Sequence, residues 1–111
     1  MLQADEFSSV FSFRRAVAGE FFQVQFKPNG RGHPRLGMIV SKKTERLAVY
    51  RNFTKRIIRE LFRTRCLEIN GLDIVVRLRK PFRGDKLIQV RQELHELIGK
   101  VIDVAVVDRT D

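Results

Sequence analysis

Arg51, Asn52, Lys55, Arg56, Arg59 and Arg63 recur at three- and four-residue spacing, and side chains of these types on one surface are equipped to hold anions. At about 100° per residue they fall within one helical arc of roughly 140°, with Phe53, Thr54, Ile57, Ile58 and Leu61 on the opposite side. No carboxylate interrupts the arc; Glu60 stands at its edge. The like charges of Arg51, Lys55, Arg59 and Arg63 oppose a helix that alternating signs would support. A polyphosphate relieves that repulsion: guanidinium forks match phosphate oxygens in pairs, lysine supplies a mobile point charge, and Asn52 can donate and accept. The bland alternative, a generic solvated face, would interleave glutamates that are absent here.

Other chemistry is poorly provided for. His33 lies in a turn between Gly32 and Pro34, and His95 sits among Glu93 and Glu96 as an ordinary surface residue would. Asp103 and Asp108 have no acid/base set around them, Gly30-x-Gly32 is only a turn, and the lone Cys66 reads as a small packing residue. No Cys/His cluster has zinc spacing, and nothing supplies a nucleophile with an attendant base, so a protein-only nuclease is not expected.

The elements that must carry the arc follow from periodicity. Phe7, Val10 and Phe11 mark an amphipathic helix over 3–13. A strand is expected over about 20–27, with Phe22, Val24 and Phe26 inward and Phe21, Gln23 and Gln25 outward. The turn cluster 27–32 leads to a second strand over 35–41, expected to pair antiparallel with the first. The basic helix should run over about 46–68 and stop at Asn70-Gly71. Residues 73–78 form a third, nearly all-apolar strand, 80–85 a basic loop with Pro and Gly, and a last helix starts near 86 with Leu87, Val90, Leu94, Leu97 and Ile98 inward. Residues 101–107 keep helical phase through Val101 and Ala105, yet their β-branching and Gly99 suit a strand.

The chain has 111 residues, 43% of them apolar and nine of them Phe, enough for one domain with a modest core. Its 22 Lys and Arg against 13 Asp and Glu give +9, with a pI near 10.6. Nucleic acid or an anionic surface is the implied partner. No apolar run reaches the roughly 18 residues that span a bilayer and no signal-peptide pattern leads the chain, so a cytoplasmic protein without membrane contact is expected.

Ser41-Lys42-Lys43 followed by Arg51-Asn52-x-x-Lys55-Arg56-x-x-Arg59-Glu60 resembles the signature of the protein subunit of bacterial ribonuclease P. Phe7-x-x-Val10-Phe11, Gly32-His33-Pro34-Arg35-Leu36-Gly37 and Leu72-Asp73-Ile74-Val75-Val76 extend the likeness over about residues 5–100. Phe53 departs from it, standing where the family usually has Arg, and the chain starts almost at its first helix without the short basic lead-in of many relatives.

The resemblance implies an α+β fold over 1–111. A small antiparallel or mixed sheet would pack with helices, its β-α-β crossover left-handed as in ribosomal-protein relatives, and the last helix would reach about 104. It implies an accessory subunit of an endoribonuclease ribonucleoprotein that removes the 5′ leader of precursor tRNA, with catalysis by the RNA through Mg²⁺ and none bound by the protein alone. The implied partners are one catalytic RNA per chain and precursor tRNA, with no obligate protein partner. Ser41, Lys42, Lys43, Arg51, Asn52, Lys55, Arg56, Arg59 and Arg63 would then face the catalytic RNA. Phe7 and Phe11, which by themselves read as core, would edge a leader cleft with Phe21, Gln23 and Gln25. Gln25 occupies the place of a stacking aromatic in the family. Read without the resemblance, the same basic helix suits a ribosomal protein or a DNA-binding module that lays its helix in a groove.

Overall fold

The computed structural model describes residues 15–110, with side chains through residue 105. The helix expected over 3–13, and with it Phe7 and Phe11, lies outside the described residues.

Residues 72–78 form the strand with the strictest requirement. Its sequence LDIVVRL is buried at every position but one, and a strand buried on both faces along most of its length belongs at the centre. It is: the sheet order is β1-β2-β4-β3, with β1 Ala16–Ala18, β2 Phe22–Pro28, β3 Arg35–Ile39 and β4 Leu72–Leu78. β4 pairs antiparallel with β2, from Phe22 opposite Leu78 to Pro28 opposite Leu72, and parallel with β3, from Arg35 opposite Asp73 to Ile39 opposite Arg77. The expected antiparallel pairing of β2 with β3 is therefore wrong, because β4 takes the place between them. The three-residue edge strand β1, paired antiparallel with β2, was also not foreseen; Ala-Val-Ala is too short to show a period.

Helix α1 spans Ala48–Thr64 and α2 spans Leu87–Thr110, the latter entered through a 3₁₀ turn over Gly84–Lys86. Both cover the sheet face that carries Phe22, Val24, Phe26, Ile74 and Val76. Ile57, Ile58 and Leu61 of α1 join Val90, Leu94, Leu97, Ile98 and Val101 of α2 in one apolar core. The ambiguous 101–107 stretch is helical, since Val101 and Ala105 continue the buried stripe of Leu94 and Ile98, and the helix runs on to Thr110, past its expected end near 104.

α1 ends about a turn earlier than expected. Thr64 Oγ1 and the Arg65 amide both donate to the Leu61 carbonyl, and 65–71 is a run of turns that returns the fully buried Ile69 to the core. Gly71 does take the positive φ, 83°, but uses it to enter β4.

Candidate nucleic-acid interface

The path to α1 is built before the helix begins. After β3, Ser41 Oγ accepts the Thr44 amide and donates to Thr44 Oγ1, and the Ser41 carbonyl accepts the Glu45 amide. This closed turn leaves Lys42 and Lys43 exposed at its tip. Glu45, only 3% exposed, receives the Arg83 guanidinium from the loop before α2 and the Leu47 amide at the start of α1. Burial alone would push its carboxyl up, but those donors hold it below the usual carboxylate range. Arg83 also lies 3.9 Å over the Tyr50 ring. An otherwise uncapped helix start is thus tied to the loop that follows β4, at the end of the sheet where the parallel strands β3 and β4 both finish.

α1 then divides as its spacing requires. Thr54, Ile57, Ile58 and Leu61 are buried, with Thr54 Oγ1 returned to the Tyr50 carbonyl, while Asn52, Arg56, Arg59 and Arg63 are exposed and Lys55 is half-buried. Two members of the arc are already engaged. Arg51 Nη1 donates to the carbonyls of Glu45 and Arg46 at 2.9 and 2.8 Å, so this guanidinium braces the turn before the helix. Arg56 meets Glu60 at 3.2 Å, an exposed pair that a phosphate can displace at little cost. Asn52, Lys55, Arg59 and Arg63 have no hydrogen-bond or ion-pair partner among the described residues. Phe53 is half-buried against the core, 6.4 Å from the Phe82 ring, and so belongs to packing.

The residues expected at the leader are divided. Gln23 and Gln25 lie half-exposed on the sheet face opposite the helices, level with Ala18 and Ala16 on one side and with Arg77 and Val75 on the other. Phe21 does not share that face. It precedes β2, is 3% exposed, and packs edge-on to Phe82 at 6.2 Å with Lys80 Nζ 5.6 Å from its ring. The outward alternation stops there because a carboxylate turns the chain. Glu93 on α2 accepts the amides of Glu20, Phe21 and Phe22 at 2.6, 2.9 and 2.8 Å and fixes the β1–β2 hairpin. A Cβ on Gly19 would come within 2.5 Å of that carboxylate, so glycine is needed for the approach.

Sequence reasoning missed Glu45, Arg83 and Glu93, and it missed a buried cluster at the far end of β4. Asp73, 4% exposed, receives Arg35 Nε and Nη2 at 2.7 and 2.6 Å and Asn29 Nδ2 at 3.0 Å. Burial opposes its charge, but these donors keep the carboxyl below its ordinary range. Charged residues inside an apolar strand were the available signal. His95 borders a groove of about 190 Å³ between the helices, with Arg91, Glu60 and Thr64. Among the described residues no three His, Cys, Asp or Glu gather to hold a metal, and no helix is long and apolar enough to cross a membrane.

Comparison with known proteins agrees with this geometry. The family model for Ribonuclease P matches residues 1–102. The ribonuclease P protein component of Chromobacterium violaceum is 42% identical over 101 residues, covering 91% of this chain and 84% of that protein. That of an Azoarcus species is 40% identical over 99 residues, 89% of this chain and 82% of the relative. Among solved structures, the Staphylococcus aureus RNase P protein superposes with a TM-score of 0.81 at 31% identity, covering 91% of this chain and 93% of that one. The Thermotoga maritima RNase P protein, solved with 1-(4-fluorophenyl)-2-thiourea, gives 0.70 at 30% identity, covering 92% and 96%. The ribosomal-protein and DNA-binding readings of the basic helix give way to this agreement of sequence with fold: the chain belongs to the ribonuclease P protein component family.

Proposed function

We propose that the exposed side of α1, continued by the Ser41–Lys43 turn, is the surface that grips the catalytic RNA, and that the sheet face bearing Gln23 and Gln25 takes the 5′ leader of precursor tRNA. As a ribonuclease P protein component the chain binds RNA and serves 5′ maturation of tRNA; what is proposed is the division of labour among its residues. The observation that carries it is the set of cations without partners among the described residues, Lys42, Lys43, Lys55, Arg59 and Arg63, which lies on the side of α1 and its lead-in turn turned away from the core. Unpaired like charges held close together lose their mutual repulsion when a phosphate chain arrives, and the released counterions drive the association.

Hydrolysis in this reading is carried out by the RNA, with Mg²⁺ supplied at that RNA to activate water and offset charge on the scissile phosphate. The protein's residues position and neutralise. Lys42, Lys43, Arg59 and Arg63 hold RNA phosphates, Asn52 meets a phosphate or 2′-hydroxyl, and Arg56 exchanges Glu60 for RNA. Arg51 serves the interface by fixing the helix start. One chain acts with one RNA, in the cytoplasm, on precursor tRNA. Reconstitution with the catalytic RNA tests the assignment: Arg59→Ala with Arg63→Ala should lower the slope of log K against log salt by about 0.7 to 0.9 per lost contact, with the melting temperature unchanged. An unchanged slope refutes it.

A further inference from the structure

The sheet face opposite the helices carries a charged group that neither the fold nor the basic helix uses. Arg77 is the one exposed position of β4, and its side chain makes no hydrogen bond or ion pair among the described residues. Strand register places it in a row with Ala18 of β1, Gln23 of β2 and Ile39 of β3. The neighbouring row, Ala16, Gln25, Val75 and Gly37, is closed at its centre, where Val75 is fully buried. The next row along β4 holds Asp73, whose charge is taken up by Arg35 and Asn29. Neither the Arg77 row nor the Val75 row contains a carboxylate. The open positions of these rows are thus Ala, Gln and Ile, with one guanidinium, uncompensated among the described residues, at their middle.

The row also has a direction. Adjacent strands lie about 4.8 Å apart, so four of them span roughly 15 Å. It begins at the small Ala18, crosses Gln23 and Arg77, and ends at Ile39, two residues before the Ser41–Lys43 turn. An extended polyanion laid across it would leave the sheet beside Lys42 and Lys43.

Resting on the reading that this face takes the leader, we propose that Arg77 is a further substrate-binding residue that holds a backbone phosphate of the single-stranded 5′ leader, with Gln23 beside it as a neutral hydrogen-bonding partner. A guanidinium can grip a phosphate whatever the base, which suits a single strand of varied sequence. It also gives affinity to a face where Gln25 offers an amide and no ring for stacking.

The test uses the reconstituted protein and catalytic RNA, with dissociation of precursor tRNA and mature tRNA measured side by side for wild type, Arg77→Ala and Arg77→Lys. Arg77→Ala should weaken precursor binding roughly tenfold, in keeping with a lost charge-assisted hydrogen bond, and leave mature tRNA unaffected. Arg77→Lys should recover part of the loss, and more of it at low salt, because a point charge remains. Melting temperatures should match wild type, since the side chain is exposed and unpaired. Equal loss for both tRNAs, or an unchanged precursor preference in Arg77→Ala, overturns the role of Arg77. A wild-type holoenzyme that binds both tRNAs equally would instead overturn the leader reading itself.

Discussion

A buried carboxylate is tolerated only when donors replace the water it loses. Asp73 meets that condition through Arg35 and Asn29, and Glu45 through Arg83 and the Leu47 amide. Both are held below their ordinary range despite burial that pushes the other way. A depressed folded pKa means that the unfolded chain takes up protons first as pH falls. The stability these groups contribute is complete above the unfolded carboxylate range near pH 4 and is lost as pH drops through their folded values. Urea unfolding should therefore show a plateau from about pH 5 upward and a fall below about pH 4. Asp73→Asn should be less stable than wild type at pH 7, and the gap should narrow by pH 3. A gap independent of pH would mean that the carboxylate charge plays no part. Phe53 sets a second expectation at this scale. Half-buried beside Phe82, it should cost about 2 kcal/mol as Phe53→Ala, less than the 3–5 of a fully enclosed ring, with the salt slope of RNA binding unaltered.

At the scale of elements, α1 is a two-sided object whose sides answer to different partners. One side is fixed by the sheet and α2; the other is left repelling itself. Its start depends on side chains from elsewhere, because the first turn has no acidic residue and the N-cap Leu47 makes no side-chain hydrogen bond. Arg51→Ala should accordingly fray the first turn of α1, seen as faster amide exchange there, while changing the salt slope less than Arg59→Ala does. The β1–β2 hairpin has a similar dependence on α2. Removing the Glu93 acceptor in Glu93→Ala leaves the amides of residues 20–22 without their partner, which should destabilise the protein by about 2 kcal/mol and speed hydrogen exchange at Phe21 and Phe22. If exchange at those amides is unchanged, solvent has taken over the role and the brace is dispensable.

For the whole molecule, +9 spread over 111 residues gives non-specific attraction to RNA, and in the proposed reading specificity comes from where the cations unpaired among the described residues are held. If the five cations Lys42, Lys43, Lys55, Arg59 and Arg63 each neutralise one phosphate, raising salt from 50 to 200 mM should weaken binding to the catalytic RNA about 100- to 500-fold. A much shallower dependence would put the contacts elsewhere. The spacing of Ile57, Ile58 and Leu61 against Arg59 and Arg63 determined α1 and its two faces. The alternation of Phe22, Val24 and Phe26 likewise determined β2, since these signals lie within a few residues of one another. The likeness carried by 41–60 determined the family. Tertiary structure alone decided that β4 separates β2 from β3, that Phe21 turns inward, that Arg51 is engaged while Arg59 has no side-chain partner among the described residues, and that Arg77 faces out beside Gln23. Each of these turns on partners far apart in sequence, such as Glu93 with the amides of residues 20–22 or Asp73 with Arg35. Local periodicity says which face of an element is apolar. Only the competition of all elements for one core says what each face meets, and the strand with the most to bury on both sides wins the centre.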